Sequence, residues 1–251
     1  MPQTSPFPYS DDNKRYHTLH YHNRRVFGGR VYKAVLDAGM TCPNLDGTCG
    51  TGGCAFCDGG SGAFTRPLPL HEQLTLEAQR IRRRDPHARI IAYFQVHTNT
   101  YAPVQTLSAL YEEALAFPGV VGLSVGTRPD CLPEDVLALL SALSRRTQLT
   151  VELGLQTVHD STAQDFGRGY PYAVFAGSFA RLRALGIRTC VHLINGLPGE
   201  TMEDMLETAR TVGDLHPQAV KLSLLHILEG TRYADAFREG RIPPHDAGGV
   251  Y

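Results

Sequence analysis

Four cysteines lie within sixteen residues in the stretch TCPNLDGTCGTGGCAFC, residues 41–57. Cys54 and Cys57 stand in the C-x-x-C spacing that brings two thiolates to one metal centre, with Cys49 five residues and Cys42 twelve residues ahead of Cys54. Gly47, Gly50, Gly52 and Gly53 deny the segment any bulk for a core and let it fold back on itself, including at positive φ. Three chemistries fit these residue types. A structural zinc ion would take four ligands, Cys₄ or Cys₃His. A thioredoxin-like redox pair would use Cys54 and Cys57 and leave the other two without a task. An iron–sulfur cluster would take thiolates, and with only three of them one iron stays open to a substrate or cofactor. The loop alone does not choose among them.

Composition narrows the setting. The chain has 251 residues, 42% of them hydrophobic and 20% charged, with a net charge of −1. A balance so near zero draws the molecule as a whole to neither nucleic acid nor membrane. No run approaches the ~20 apolar residues of a spanning helix. The opening segment, MPQTSPFPYSDDNKRYHT, has no apolar secretion core. A reducing cytosol is therefore expected, where close cysteines serve as metal ligands or redox groups rather than disulfides.

Chemistry of this kind needs a scaffold, and the scaffold shows as an alternation. Strand-like runs are expected at 31–37, 89–95, 120–127, 149–156, 189–196 and 219–228, with helices at 70–84, 106–117, 133–146, 172–186 and 201–215 and a last one over RYADAFREG. Leu137, Leu140 and Leu143 recur at three-residue steps, with Glu134, Asp135 and Arg145 left to face water. The mostly apolar strands read as parallel and helix-covered. Six units without a composition break predict one α/β domain over residues 31–240, flanked by an N-terminal extension (1–30) and a C-terminal tail (241–251). Six is short of the eight of a closed barrel, which leaves an open partial barrel or a doubly wound sheet. In both, ligands gather at the C-terminal edge of the strands, where the cysteine loop begins.

Other polar residues fall at the same edge. Glu152 and Gln156 share a face of the fourth strand, and a carboxylate among Val151, Leu153 and Leu155 is costly to bury without partners. Asp130 is placed to cap the helix beginning near Pro133. His192 sits within an apolar strand, as satisfied core histidines do. Gly196 and Gly199 in NGLPGE permit a tight turn, with Glu200 near the next helix start. Lys221 and His226 in the sixth strand face the barrel mouth, and Cys131 and Cys190 read as small buried hydrophobes. Two basic stretches remain. RIRRRDPHAR reads as a solvated helix end, whereas HTLHYHNRR mixes rings and cations in a way that would grip RNA by stacking and phosphate contact.

Taken in order, RYHTLHYHNRRVFGGRVYKAVLDAGMTCPNLDGTCGTGGCAFC, YFQVHTNTYAP, VGTRPDCLPEDVL, VELGLQTVHDSTAQDFGRGY, HLINGLPGETMEDM and VKLSLLHILEGT resemble the radical S-adenosylmethionine (SAM) enzymes. Within them the chain is similar to an uncharacterised family close to the elongator catalytic subunit and the oxygen-independent coproporphyrinogen oxidases. The resemblance, covering about residues 15 to 235, implies a (β/α)₆ partial TIM barrel. It implies that Cys42, Cys54 and Cys57 hold a [4Fe–4S] cluster whose fourth iron SAM chelates, with Cys49 a loop thiol. It also places Phe56 beside the adenine, Gln95 where the methionine amino group is gripped, and Thr127 where related oxidases carry an acid. Glu152 becomes a polar hand for SAM, and Gln156 with Arg168 matches a glutamine–arginine pair whose arginine holds the methionine carboxylate bidentately. His192 falls where relatives place an acid near the ribose, and Gly196 where backbone approaches the nucleotide.

The activity so implied is reductive cleavage of SAM to methionine and a 5′-deoxyadenosyl radical that takes hydrogen from a substrate. Its partners would be a flavodoxin- or ferredoxin-type electron donor and the iron–sulfur assembly machinery. Kinship with elongator points to RNA as substrate, and kinship with the oxidases to a small metabolite. The competing expectation is a non-catalytic zinc or cluster protein with four ligands, Cys49 included, and no affinity for SAM. Relatives commonly continue past a sixth unit, so part of a covering region is expected beyond RIPPHDAGGVY.

Overall fold

Six strands form a single parallel sheet whose spatial order is their order in the chain, β1-β2-β3-β4-β5-β6. They are β1 (Val31–Leu36), β2 (Arg89–Phe94), β3 (Val120–Thr127), β4 (Gln148–Gln156), β5 (Arg188–Asn195) and β6 (Ala219–Leu224). The helices are α1 (Leu19–Phe27), α2 (Leu70–Arg84), α3 (Val104–Ala116), α4 (Glu134–Ser144), α5 (Asp160–Asp165), α6 (Tyr172–Ala184), α7 (Met202–Asp214) and α8 (Arg232–Arg238). The computed structural model describes residues 14–59 and 68–242; the expectations for residues 1–13 and 243–251 lie outside these. The sheet curls into an open (β/α)₆ partial barrel, with β1 and β6 as its two free edges.

Parity decides which residues do what, since successive side chains of a strand point to opposite faces. Ala34, Leu36, Ile90, Ala92, Phe94, Leu123, Val125, Val151, Leu153 and Val191 face outward into one continuous core. Leu74, Ile81, Leu107, Leu137, Leu140, Leu143, Phe175 and Phe179 of the covering helices complete it. The alternate positions face the lumen, and register aligns them: Tyr93 with Ser124, Glu152 with Cys190, and His192 with Lys221.

Several local outcomes differ from the sequence expectation. Strand β6 stops at Leu224, not near residue 228, because Leu225 and Ile227 turn into a second apolar cluster at the mouth with Ala55, Phe166, Leu197 and Tyr233. Helix α8 joins that cluster, with Tyr233 N–H bonded to Ala55 O at 3.0 Å. Among the described residues the outer row of β6 is therefore left uncovered, with Val220, Leu222 and Leu224 exposed. Helix α5 follows β4 unannounced by any periodicity. Asp130 does not cap α4, whose N-cap residue Pro133 receives no side-chain bond; the carboxylate is instead paired with Arg128 at 2.9 and 2.7 Å. Within the expected extension, α1 is capped by Thr18 at one end and by Gly28, at φ 68°, at the other.

Candidate active site

The cysteine loop is held at both ends and in the middle. His97, itself at φ 62°, places Nδ1 2.7 Å from Met40 O and Nε2 against Gly59 O, clasping the two ends of the loop. Buried Asn44 donates from Nδ2 to Gly167 O at 2.7 Å, to Arg168 O at 3.2 Å and to Cys54 Sγ at 3.4 Å. Ala55 N–H reaches Phe166 O at 2.8 Å, and Cys57 N–H closes a turn on Cys54 O at 2.9 Å. So fixed, Cys42, Cys54 and Cys57 line one cavity over the C-terminal ends of the strands. Cys49 is exposed and lines a different cavity, with Thr48, Tyr101 and Cys131.

This donor set fits a cluster better than a single ion. Tetrahedral zinc with Zn–S bonds of about 2.3 Å holds its sulfurs about 3.8 Å apart. Among the described residues no three of these thiols have sulfurs within 4.8 Å of one another. Burial pushes the Cys54 thiol up to about 11 against the hydrogen bond from Asn44, with Cys57 and Cys42 adding to the rise. Ionised together, three such thiols require a cationic group at their centre.

The floor of the same cavity is polar. Glu152, 2% exposed, accepts hydrogen bonds from Lys33 Nζ and Ser124 Oγ and lies 2.6 Å from His192 Nε2. Burial alone would raise its pKa, yet His192 and Lys33 together hold this carboxyl well below the usual carboxylate range. Lys33 Nζ also sits 4.0 Å from the centre of the Tyr93 ring. The Tyr93 hydroxyl is buried with no hydrogen-bond partner of good geometry among the described residues, and burial and the Glu152 charge push its pKa up. Cys190 Sγ lies within 4.8 Å of the Glu152 and His192 ligand atoms, its thiol pushed up to about 11 by burial.

At the rim, Tyr170 is flanked by two guanidinium groups, Arg128 and Arg168, each 4.9 Å from its ring centre. Its hydroxyl donates to Gly154 O at 2.8 Å. A Cβ at Gly154 would come 2.9 Å from Nε2 of Gln156, whose flexible side chain would have to shift; Gln156 itself, at φ 64° beyond a register shift in β4, lines the cavity. Arg168 corrects the sequence expectation. It lines the cavity but is 1% exposed, and it donates to Tyr170 O (2.9 Å), Leu155 O and Thr157 O (2.7 Å each) and Asp160 Oδ1 (2.9 Å). Four of its five N–H groups are thus committed to the protein, and no bidentate fork remains for a substrate carboxylate. Its guanidinium instead fixes the loop between β4 and α6.

Of the residues picked out from sequence, Cys42, Cys54, Cys57, Phe56, Gln95, Thr127, Glu152, Gln156, Arg168 and His192 line this one cavity, with Lys221 and Thr98. Gly196 does not. At φ 78° it turns the chain out of β5, and its N–H meets Met205 Sδ at 3.3 Å. His226 lies past the end of β6 and is exposed, outside the cavity lining. Sequence reasoning passed over Lys33, Asn44, Tyr93 and His97. His97 alone carried a local signal, standing two residues beyond Gln95 in a loop of polar residues.

Residues 47–212 match the family profile of the radical SAM superfamily. The chain belongs to this superfamily. Membership makes it an enzyme of the class that uses a [4Fe–4S] cluster and SAM. The radical SAM chain is 47% identical over 245 residues to the uncharacterized protein YtqA of Bacillus subtilis, covering 96% of itself and 76% of that protein. In fold it is similar to the archaeal Elp3 of Methanocaldococcus infernus (TM-score 0.63, 17% identity) over 86% of its length and 50% of that chain. Coproporphyrinogen III oxidase (HemN) from Escherichia coli is another structural neighbour (TM-score 0.56, 19% identity), matched over 97% of this chain and 56% of the oxidase. The chain thus spans about half of each of those solved proteins. Among the described residues no helix is long and apolar enough to cross a membrane.

Proposed function

We propose that Cys42, Cys54 and Cys57 are the cluster ligands and that the cavity they share with the polar floor binds SAM. The observation that carries this reading is the sorting of the four loop thiols, three into that cavity and Cys49 out of it. Held by these thiolates, the cluster would supply one-electron reduction to SAM bound beside it, the radical chemistry of the superfamily.

The chain's own residues bind and orient. Phe56 packs on Phe166 at 5.2 Å between ring centres and offers an apolar wall for the adenine. Gln95, Thr127 and Gln156 offer polar contacts to the methionine end. His192, fixed by Glu152, lines the same cavity and would offer its ring to the ribose. Lys33 brings positive charge to the ionised Glu152, and exposed Lys221 lines the same chamber. The apolar cluster around Phe166, Tyr233 and α8 keeps water from the cysteine loop on one side. We assign this role to the barrel, residues 31–240, in a cytosolic enzyme reduced by a flavodoxin- or ferredoxin-type donor and loaded by the iron–sulfur assembly machinery. The substrate is an RNA or a small metabolite.

Anaerobic reconstitution with iron and sulfide, followed by EPR of the reduced protein with and without SAM, tests the reading. A [4Fe–4S] signal that changes on adding SAM, persists in Cys49→Ala and is lost in Cys54→Ala is expected. A metal site that needs Cys49 and ignores SAM would overturn it and leave a structural or sensing centre.

A further inference from the structure

The two basic stretches of the sequence, some fifty residues apart, meet at the base of the barrel. Helix α1 leads into β1 there, and Arg89, at the start of β2, ties the two together: its backbone N–H bonds Arg30 O at 3.1 Å and its side chain bonds Phe27 O. The C-terminal end of α2 arrives at the same end of the sheet. Residues 14–30 and 80–89 contain Lys14, Arg15, Arg24, Arg25, Arg30, Arg80, Arg82, Arg83, Arg84 and Arg89, all exposed. That is ten of the 24 Lys and Arg in the chain; these two ranges hold one carboxylate, Asp85, and Glu77, just outside them, pairs with Arg80 at 2.7 Å. Asp85 is itself engaged, its Oδ1 accepting from His87 N–H at 3.2 Å. In a chain of net charge −1, these two stretches carry a local excess of positive charge.

We propose that this base is a docking surface for RNA. Charge density of this kind matches a phosphate backbone. The rings interleaved with the cations supply the second half of the chemistry. Tyr16 is 65% exposed, His17 packs edge-on to Tyr21 at 5.0 Å, and the Arg25 guanidinium lies 5.7 Å from the Tyr21 ring centre. Exposed rings beside guanidinium groups stack unpaired bases, which RNA loops display and duplex DNA withholds. A shallow concavity lined by His20, Tyr21, Arg24, Arg25, Gly29 and Arg30 gives a phosphate a place to sit. An acidic electron-transfer protein would also be attracted by charge, but it has to approach the cysteine loop. That loop is at the other end of strands about 20 Å long, six residues at ~3.3 Å each.

The test uses the full chain without cluster or SAM, so its result is independent of the cofactor assignment. Fluorescence anisotropy would follow a labelled hairpin RNA with an unpaired loop, a duplex DNA of equal length, and an acidic flavodoxin. The hairpin is expected to bind with a salt dependence of about −0.7 per phosphate contacted. Arg24→Glu/Arg25→Glu is expected to weaken binding at least about tenfold. Arg83→Glu/Arg84→Glu, on the other stretch, should do the same, while Arg210→Glu on exposed α7 should not. If the α1 variant fails to fold by circular dichroism, the α2 variant decides. Hairpin binding indifferent to both double variants, duplex DNA bound as tightly as the hairpin, or charge swaps that abolish flavodoxin binding alone would each overturn the proposal.

Discussion

The two faces of the sheet are built from alternate residues of the same six strands, yet they are different materials. Outward, Leu36, Phe94, Leu123, Val151 and Val191 close against helices, and almost every one is sealed from water. Inward, Lys33, Tyr93, Ser124, Glu152, His192 and Lys221 face a chamber in which charge is balanced by charge. A closed eight-stranded barrel fills its interior with branched apolar side chains. Six strands leave the sheet open, and an open lumen lined with apolar residues would only collapse or collect other chains. The difference teaches that stability and chemistry share the strands by parity: a one-residue slip would exchange them.

Substitutions on the two faces should therefore fail in different ways. Leu140→Ala, in the outer core, is expected to cost about 3 kcal/mol in urea denaturation through the cavity it leaves, with SAM affinity of the reconstituted protein unchanged. Glu152→Gln is expected to cost about 2 kcal/mol, below the ~3–5 kcal/mol for breaking a fully buried ion pair, because Lys33 and His192 are about a quarter exposed. Unlike Leu140→Ala it should also weaken SAM binding at least about tenfold, read by calorimetry. A neutral or stabilising Glu152→Gln would mean that the inner face is core after all. Arg168→Lys keeps the charge but cannot reach Tyr170, Leu155, Thr157 and Asp160 at once, and about 1.5 kcal/mol should be lost. Hydrogen exchange should localise that loss to residues 157–170. The smallest effect belongs to His22. Burial and the Arg188 charge lower its pKa, so the folded state prefers it neutral and the unfolded chain binds more protons just below pH 6.5. Stability should rise with pH through that window and fall as the pH drops, and His22→Gln should flatten the dependence.

The outer face was readable from sequence because its signal is local. Apolar runs broken by turn residues mark every strand, and the leucine spacing of α4 marks its buried side. The cysteine loop was readable for the same reason, as was its place after the first strand. What escaped is non-local. Lys33 and Glu152 are 119 positions apart, and Asn44 and Gly167 are 123 apart; neither pair exists until the sheet has curled. Arg168 shows the matching error, since spacing from Gln156 carried no information about the three carbonyls and one carboxylate that consume its donors. The sixth strand was drawn too long because Leu225 and Ile227 are as apolar as strand residues, though they serve the cluster at the mouth. Helix α1 was hidden by a run of histidines and arginines in which no apolar stripe stands out.

The bare outer row of β6 has a consequence for the molecule in company. Among the described residues the strand pairs only with β5, so its far side presents unused backbone N–H and C=O groups beside exposed Val220, Leu222 and Leu224. Its one charged residue, Lys221, projects to the lumen side beside His192. Natural sheets blunt such edges with lysines, inward-pointing charges, prolines or bulges, and on β6 Lys221 is the one such device. Left bare, it is the template on which crowded copies would first pair edge to edge, and the place where a single outward charge would do most for solubility.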